Sequence, residues 1–271
     1  MESVTWIVDP AMFPPSYKAF CDTISRLGHK CLTWNLDWWH TGKWPKLEKQ
    51  AVVFHGSLGN ADRVRRELRW KPGAYCASES FFCSVWYSQA KPWLVHERWV
   101  QTTVEALVNR TKEVLEPLGV MHEVFVRPDS PLKPFSGRVL PLDRISLKAL
   151  DHGYYYEDTS LPVIVAPVRK VTQEWRFVVV ESKIVAGCSY DAASRKSRLG
   201  PTQLPTDFAS EVARNLTAPE EVYVLDIGEV DESFRLIELN PFSGADLYSC
   251  DPEPIVREVS KAALKSYAQI G

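Results

Sequence analysis

The chain carries almost no net charge: 32 lysines and arginines stand against 34 aspartates and glutamates, a formal −2. A protein whose main partner is nucleic acid or an anionic membrane carries a basic excess, so bulk electrostatics give that class no support. No uninterrupted apolar stretch approaches the length of a bilayer crossing. The opening residues, Met1-Glu2-Ser3-Val4-Thr5-Trp6, have neither a basic n-region nor an apolar h-region, so no signal peptide is expected. Cysteines occur only at positions 21, 31, 76, 83, 188 and 250, without a Cys-x-x-Cys pair. In a chain of this length they read as reduced thiols, not as a disulfide frame or zinc site, and the expected location is cytoplasmic. Also missing are a Gly-x-Ser-x-Gly elbow, a Walker-type Gly-Lys-Ser/Thr loop, a metal-spaced histidine cluster, internal repeats and low-complexity tracts.

What is there is an ordinary globular composition, 45% hydrophobic and 24% charged over 271 residues. That length allows one large core or two smaller ones. Residues 4–8, 30–34 and 51–55 are short β-favouring runs. A helix is expected over 14–27, opened by Pro14-Pro15 and stopped by Gly28, and a second over 60–70. This alternation predicts a small α/β layer with a parallel core. The same part of the chain holds nine of the ten tryptophans, Trp6 to Trp99, expected mostly in the core with some lining a cleft. From about residue 101 the character changes. Helices over 102–108 and 112–118 precede strands over 122–127, 162–168, 175–180, 183–190, 222–227 and 234–240. Helices over 146–152, 206–216 and 254–268 complete the reading, an α+β domain on an antiparallel sheet. The expected division is an N-terminal α/β domain, 1–100, on the substrate side, and a second domain, 101–271.

Tyr223-Val224-Leu225-Asp226-Ile227 and Leu236-Ile237-Glu238-Leu239-Asn240-Pro241 are the most informative segments. Turn residues between them predict a hairpin. Strand alternation places Glu238 and Asn240 on one face with Phe234 and Leu236. A three-residue loop centred on Glu232 would set Asp226 directly across from Glu238. Two carboxylates in cross-strand contact repel one another. A magnesium ion removes that penalty, since it favours hard oxygen ligands and commonly takes one or two carboxylates with phosphates and water. A solvated hairpin with a polar outer face is the other reading open from the pattern, although the apolar residues sharing the face imply a half-buried surface where an uncompensated carboxylate is costly.

The stretch YVLDIG…RLIELNPFSGADLY resembles the C-terminal metal signature of ATP-grasp enzymes, an aspartate on one strand and Glu-x-Asn on the next. That resemblance implies that Asp226, Glu238 and Asn240 hold one or two Mg2+ ions bridging the phosphates of ATP. Upstream, residues 123–139 (EVFVRPDSPLKPFSGRV) read as a strand, a loop and a return, with Arg127 ending the strand and Lys133 in the loop. A loop with a cation and backbone N–H groups suits phosphate; ordinary surface cations on a proline-stiffened turn are the alternative. The usual Lys-Pro step of the family is Arg127-Pro128 here, and the loop has one glycine. The set resembles the ATP-grasp clade marked by two arginines and a lysine, taken as Arg127, Lys133 and Arg176. By the same resemblance, residues 162–168 correspond to the hinge that meets adenine, making Ala166 and Val168 main-chain contacts. Glu174 would bind the ribose hydroxyls, and Arg176 the γ-phosphate or an anionic intermediate. A Glu/Arg pair on a solvated sheet face is the alternative.

The resemblance covers roughly residues 120–250. It implies an ADP-forming ligase: ATP phosphorylates a carboxylate, and a nucleophile attacks the acyl phosphate to give an amide-type bond. A kinase acting on a hydroxyl, a nucleotide-binding module working through a protein partner, and a nucleic-acid end-joining ligase are the alternatives. The expected partners are a small-molecule or peptide carboxylate and a nucleophile, without a membrane. The polar loop at 191–201, with Arg195, Lys196 and Arg198, reads as a lid or a solvated loop, and His55 with Gly56 to Gly59 as a strand-to-helix turn or a substrate contact.

Overall fold

The structure is a computed structural model that describes residues 3–12, 14–150, 158–191, 197–200 and 202–269. The chain opens with β1 (Thr5–Val8), α1 (Pro14–Arg26), β2 (Lys30–Thr33), α2 (Asp37–Thr41), β3 (Ala51–His55), α3 (Leu58–Glu67) and β4 (Lys71–Gly73). The four strands form a wholly parallel sheet in the order β2-β1-β3-β4. Gly28 ends α1 as expected, at φ +82, a left-handed conformation that costs glycine nothing. Helix α3 starts earlier than expected because Ser57 caps it, accepting from the Asn60 amide at 3.2 Å. It ends at Glu67 in time for β4, a strand hidden from the sequence reading by Pro72 at its centre.

Both faces of this sheet are covered, so its strands alternate between two cores. Trp6 and Val8 pack with Phe20, Ile24, Val53 and Phe242, whereas Ile7 packs with Trp34, Val52, Phe54 and Val64. The tryptophans mostly fill the second core. Trp34 meets Trp38, Trp39 and Trp44 with ring centroids 5.3, 5.9 and 6.0 Å apart, and Trp44 meets Trp70 at 5.7 Å. Each such pair is worth about 0.5–1.5 kcal/mol beyond its burial.

The next stretch holds α4 (Cys83–Ala90), β5 (Val100–Thr103), α5 (Val104–Asn109), α6 (Thr111–Leu115), β6 (Glu123–Pro128), β7 (Arg138–Pro141), α7 (Leu147–Leu150) and β8 (Pro162–Ala166). Its strands form an antiparallel sheet, β5-β8-β6-β7, over a core of Leu107, Leu118, Val124, Val126, Val163 and Val165. The helix expected from residue 102 begins at Val104, because Gln101 to Thr103 pair with β8. The end of the helix expected over 146–152 lies outside the described residues.

The chain finishes with β9 (Gln173–Val180), β10 (Lys183–Tyr190), β11 (Ser197–Leu199), α8 (Gln203–Asn215), β12 (Val222–Val230), β13 (Ser233–Pro241) and α9 (Pro252–Ala268). These strands run β11-β10-β9-β12-β13. The turn between β12 and β13 has two residues, not the three expected: Asp231 and Glu232 sit at φ +48 and +59. Left-handed pairs of this kind follow the natural twist of a hairpin, and Glu181-Ser182 joins β9 to β10 in the same way, at φ +47 and +62. Asp251 caps α9 by accepting from the Glu253 amide, with Pro252 at the first helical position. One face of α9, including Ile255, Val256 and Val259, joins the core around Trp6, whose indole N–H donates to Ser260 Oγ at 3.0 Å.

The fold is therefore the expected parallel layer followed by antiparallel sheets. Its compact units do not coincide with a cut near residue 100. Residues 1–77, 173–228 and 236–271 form one unit, and 78–172 with 229–235 form the other. The physical reason is the shared core: Val178, Val180, Val222 and Val224 of β9 and β12 pack with Trp6 and Val53 of the parallel layer. All six cysteines are free thiols. Among the described residues, no helix is long and apolar enough to cross a membrane.

Candidate functional site

Sheet order makes the centre of the site. Strand β12 lies between β9 and β13, so side chains from both neighbours reach Asp226. From β9, the Arg176 guanidinium grips both carboxylate oxygens of Asp226, Nε to Oδ1 at 2.8 Å and Nη2 to Oδ2 at 2.7 Å. From β13, Asn240 Nδ2 donates to Asp226 Oδ2 at 3.0 Å and to Glu238 Oε2 at 3.1 Å. Arg176 Nη1 also donates to the Asp246 carbonyl at 2.6 Å. Arg176, Asp226 and Asn240 are all buried. A two-pronged Arg–carboxylate pair of this kind is directional as well as strong.

Glu174, two residues before Arg176 on β9, accepts from the Tyr190 hydroxyl at 2.6 Å. Tyr190 stacks on Tyr248 with centroids 4.8 Å apart and planes 17° off parallel, and the Arg176 guanidinium lies over Tyr248 at 4.8 Å and Tyr190 at 5.5 Å. The arginine thus sits in an aromatic cage, favourable for a delocalised cation. Burial pushes the Glu174 carboxyl above its ordinary range, and the charges of Asp226 and Glu238 push the same way. Burial opposes the Arg176 charge, but the Asp226 carboxylate more than offsets it and holds the guanidinium protonated. Burial likewise raises the Tyr190 hydroxyl, so it acts as a donor.

The donor chemistry fits a hard cation. One amide nitrogen within hydrogen-bond reach of two carboxylates marks a point that both carboxylates can address, and turning the Asn240 amide over presents an oxygen there instead. Among the described residues, no group of three or more His, Cys, Asp or Glu side chains is arranged for a metal ion. Arg176, expected at the γ-phosphate or an anionic intermediate, has three of its donors turned to Asp226 and the Asp246 carbonyl.

The other predicted residues belong to the second unit. Arg127 is the last residue but one of β6, buried and paired in the ladder with Ile164. His96 stacks on Phe125 at 5.0 Å, and burial together with the Arg127 charge lowers its pKa to about 4. Lys133 is exposed in a turn at φ +50, its amide donating to the Ser130 carbonyl at 3.3 Å. The single glycine of this loop serves close packing. A Cβ on Gly137 would lie 2.8 Å from Phe125 Cζ, so a larger residue there would have to push that ring aside. Ala166 closes β8 opposite Phe125, and Val168 follows just beyond the ladder. Asp129 is buried, accepting from the amide and hydroxyl of Ser84 at 2.7 and 2.8 Å, and so ties β6 to α4.

The structure thus brings Glu174, Arg176, Asp226, Glu238 and Asn240 together in one unit and holds Arg127, Lys133, Ala166 and Val168 in the other. It adds Tyr190, Asp246 and Tyr248, none of which the sequence pattern singles out. Gly56 proves to be a packing glycine: a Cβ there would lie 2.7 Å from Asp9 Cβ and Phe54 Cζ, and its amide donates to the Ser243 carbonyl at 2.9 Å. Arg195 and Lys196, and the side chain of Arg198, lie outside the described residues.

Comparison with known proteins identifies the family and the fold. A family model for the ATP-grasp domain, family 2 of the clade named for two arginines and a lysine, matches residues 97–257, over half of the chain. No curated protein sequence matches it. Among solved structures, the D-cycloserine synthetase DcsG aligns over 96% of this chain and 99% of its own, with a TM-score of 0.64 and 12% identity. A D-alanine–D-alanine ligase from Bacillus anthracis complexed with ATP aligns over all of both chains, with a TM-score of 0.60 and 12% identity. The ATP-grasp ligase PsnB complexed with a minimal precursor aligns over 98% of this chain and 99% of its own, with a TM-score of 0.57 and 13% identity. At such identities these likenesses speak for the fold.

Proposed function

We propose, on the premise that this chain belongs to family 2 of the two-arginine, one-lysine clade of ATP-grasp domains, that it is an ADP-forming ligase. It would join a carboxylate to a nucleophile through an acyl phosphate, with ATP and Mg2+. The observation that carries this reading is the meeting of Asp226, Glu238 and Asn240 at one point beside Arg176. Those three residues would hold Mg2+, whose charge offsets that of the β- and γ-phosphates. Arg176, bonded to both Asp226 carboxylate oxygens, would hold Asp226 in its ligating orientation. Arg127 and Lys133 would bind the phosphates, Glu174 the ribose hydroxyls, and the main chain at Ala166 and Val168 the adenine. Residues 1–100 would supply the substrate side and 101–271 the nucleotide side, in the cytoplasm.

On this reading the chain needs no side-chain nucleophile. Its residues orient the carboxylate toward the γ-phosphate and stabilise the charge that develops as the bond forms. The nucleophile then displaces phosphate from the acyl group, and ADP and phosphate leave. The structure of PsnB with a precursor peptide supports including a peptide carboxylate among the first acids tried. The test is Glu238→Gln, assayed for ADP release with acid and amine panels beside the wild type. Loss of ADP formation with unchanged thermal unfolding is expected, whereas wild-type turnover in the variant would remove the basis of the proposal. A requirement for two co-substrates distinguishes a ligase from a kinase, which needs one.

A further inference from the structure

A cavity of about 310 Å³ lies within the first unit, at the lower end of the ~300–1,000 Å³ range typical of small-molecule sites. Val8 and His55 at the C-terminal ends of β1 and β3 line it, with Phe20 from α1, Leu247 and Tyr248 from the loop after β13, and Ile255 from α9. The carboxyl ends of parallel strands are where open α/β sheets receive ligands. None of the lining residues is Lys, Arg, Asp or Glu. His55 packs between Phe20 and Phe242 at 5.6 and 5.2 Å, and burial lowers its pKa to about 4, so it adds no charge at neutral pH. The remaining polar groups of the lining include the hydroxyls of Ser16 and Ser249. A second cavity, about 330 Å³, is lined by Glu181, Lys183, Glu258, Lys261 and Lys265, several already paired with one another, and offers no such apolar volume.

Tyr248 adjoins both this apolar cavity and the candidate active site: it lines the cavity, and its ring lies 4.8 Å from the Arg176 guanidinium. Tyr248 adopts φ +48, a conformation that costs a bulky residue about 1–3 kcal/mol and persists only where the surroundings impose it. They do. Its amide donates to Asp246 Oδ1 at 2.8 Å, the Asp246 carbonyl accepts from Arg176, and its ring is stacked on Tyr190. The loop is therefore strained where it sets this ring beside both the cavity and the cation.

We infer that this cavity receives an uncharged apolar side chain of the substrate, a branched aliphatic or aryl group, with the reacting end at the Tyr248 rim. The inference rests on the proposed ligase reading for its reacting end, and on the cavity alone for the chemistry of the side chain.

The test is calorimetric titration of the full chain with phenylpropionate and, as a charged control, succinate. Wild type, Ala19→Trp and Ser16→Phe are compared, each also titrated with a non-hydrolysable ATP analogue and Mg2+. Both substitutions lie on α1 at the cavity, and neither residue belongs to the proposed catalytic set. Saturable binding of phenylpropionate but not succinate is expected, weakened roughly tenfold or more in at least one filled variant, with nucleotide binding unchanged. No saturable phenylpropionate binding, equal binding of the two acids, or undiminished binding in both filled variants overturns the inference. If one variant also loses nucleotide binding it has misfolded, and the other variant with the two-acid comparison decides. Failure of the wild type to bind nucleotide would instead strike the ATP reading, while the cavity result stands by itself.

Discussion

The five-stranded and four-stranded antiparallel sheets carry the two halves of the predicted site in different ways. On the five-stranded sheet, Arg176, Asp226, Glu238 and Asn240 form one connected network from three adjacent strands, most of it buried. On the four-stranded sheet, Arg127 is buried at a strand end while Lys133 is exposed in a turn, and Ala166 and Val168 offer backbone. The first region needs its side chains to stay folded; the second spends little stability on its exposed cation. A buried ion pair broken on one side leaves an uncompensated charge, whereas an exposed lysine is worth little. Substitutions should therefore separate the two regions by what they do to stability before any activity is measured.

The largest effect is expected from Asp226→Ala, which strands the buried Arg176 guanidinium. It should cost about 3–5 kcal/mol in urea unfolding, and a loss under about 1 kcal/mol would mean that the pair does not anchor the sheet. Next comes Asn240→Asp, which removes the amide donor shared by Asp226 and Glu238 and adds a third carboxylate. It should cost about 1–3 kcal/mol without metal, and added Mg2+ should restore part of that. A variant whose melting temperature ignores Mg2+ would count against a cation at this point.

Glu174→Gln should have a smaller effect with a definite pH dependence. An acid whose folded pKa lies above its unfolded value, about 4.3 for glutamate, adds stability only below the unfolded value and loses it as pH rises through the folded one. Burial raises Glu174 in this sense. The variant should therefore unfold later than the wild type at neutral pH, and the gap should close as the buffer is taken toward pH ~4. A gap that widens on acidification has the wrong sign. Smallest in stability is Lys133→Ala, expected within about 0.5 kcal/mol of the wild type while ADP formation falls. A large loss of stability there would erase the contrast between the two sheets.

Much of this was legible from strand chemistry. Alternation alone placed Glu238 and Asn240 on a common face, and β10 has its expected bounds at Lys183 and Tyr190. The Arg176–Asp226 grip was not legible, because it depends on β9 lying beside β12, a neighbour relation between segments some fifty residues apart that no local period encodes. Tyr248 and Asp246 act through a left-handed turn and a carbonyl, features without a sequence period. The division into units was hidden for the same reason: apolar strand residues such as Val178 and Val222 announce burial but not which sheet they will pack against.

The most direct measurement is a crystal of the protein with a non-hydrolysable ATP analogue and Mn2+ in place of Mg2+, located by its anomalous scattering. The expected result is a metal peak bound directly by Asp226 and Glu238, with the Asn240 amide turned to present its oxygen and the triphosphate completing the shell. A nucleotide-bound metal ligated by none of these three side chains would contradict it.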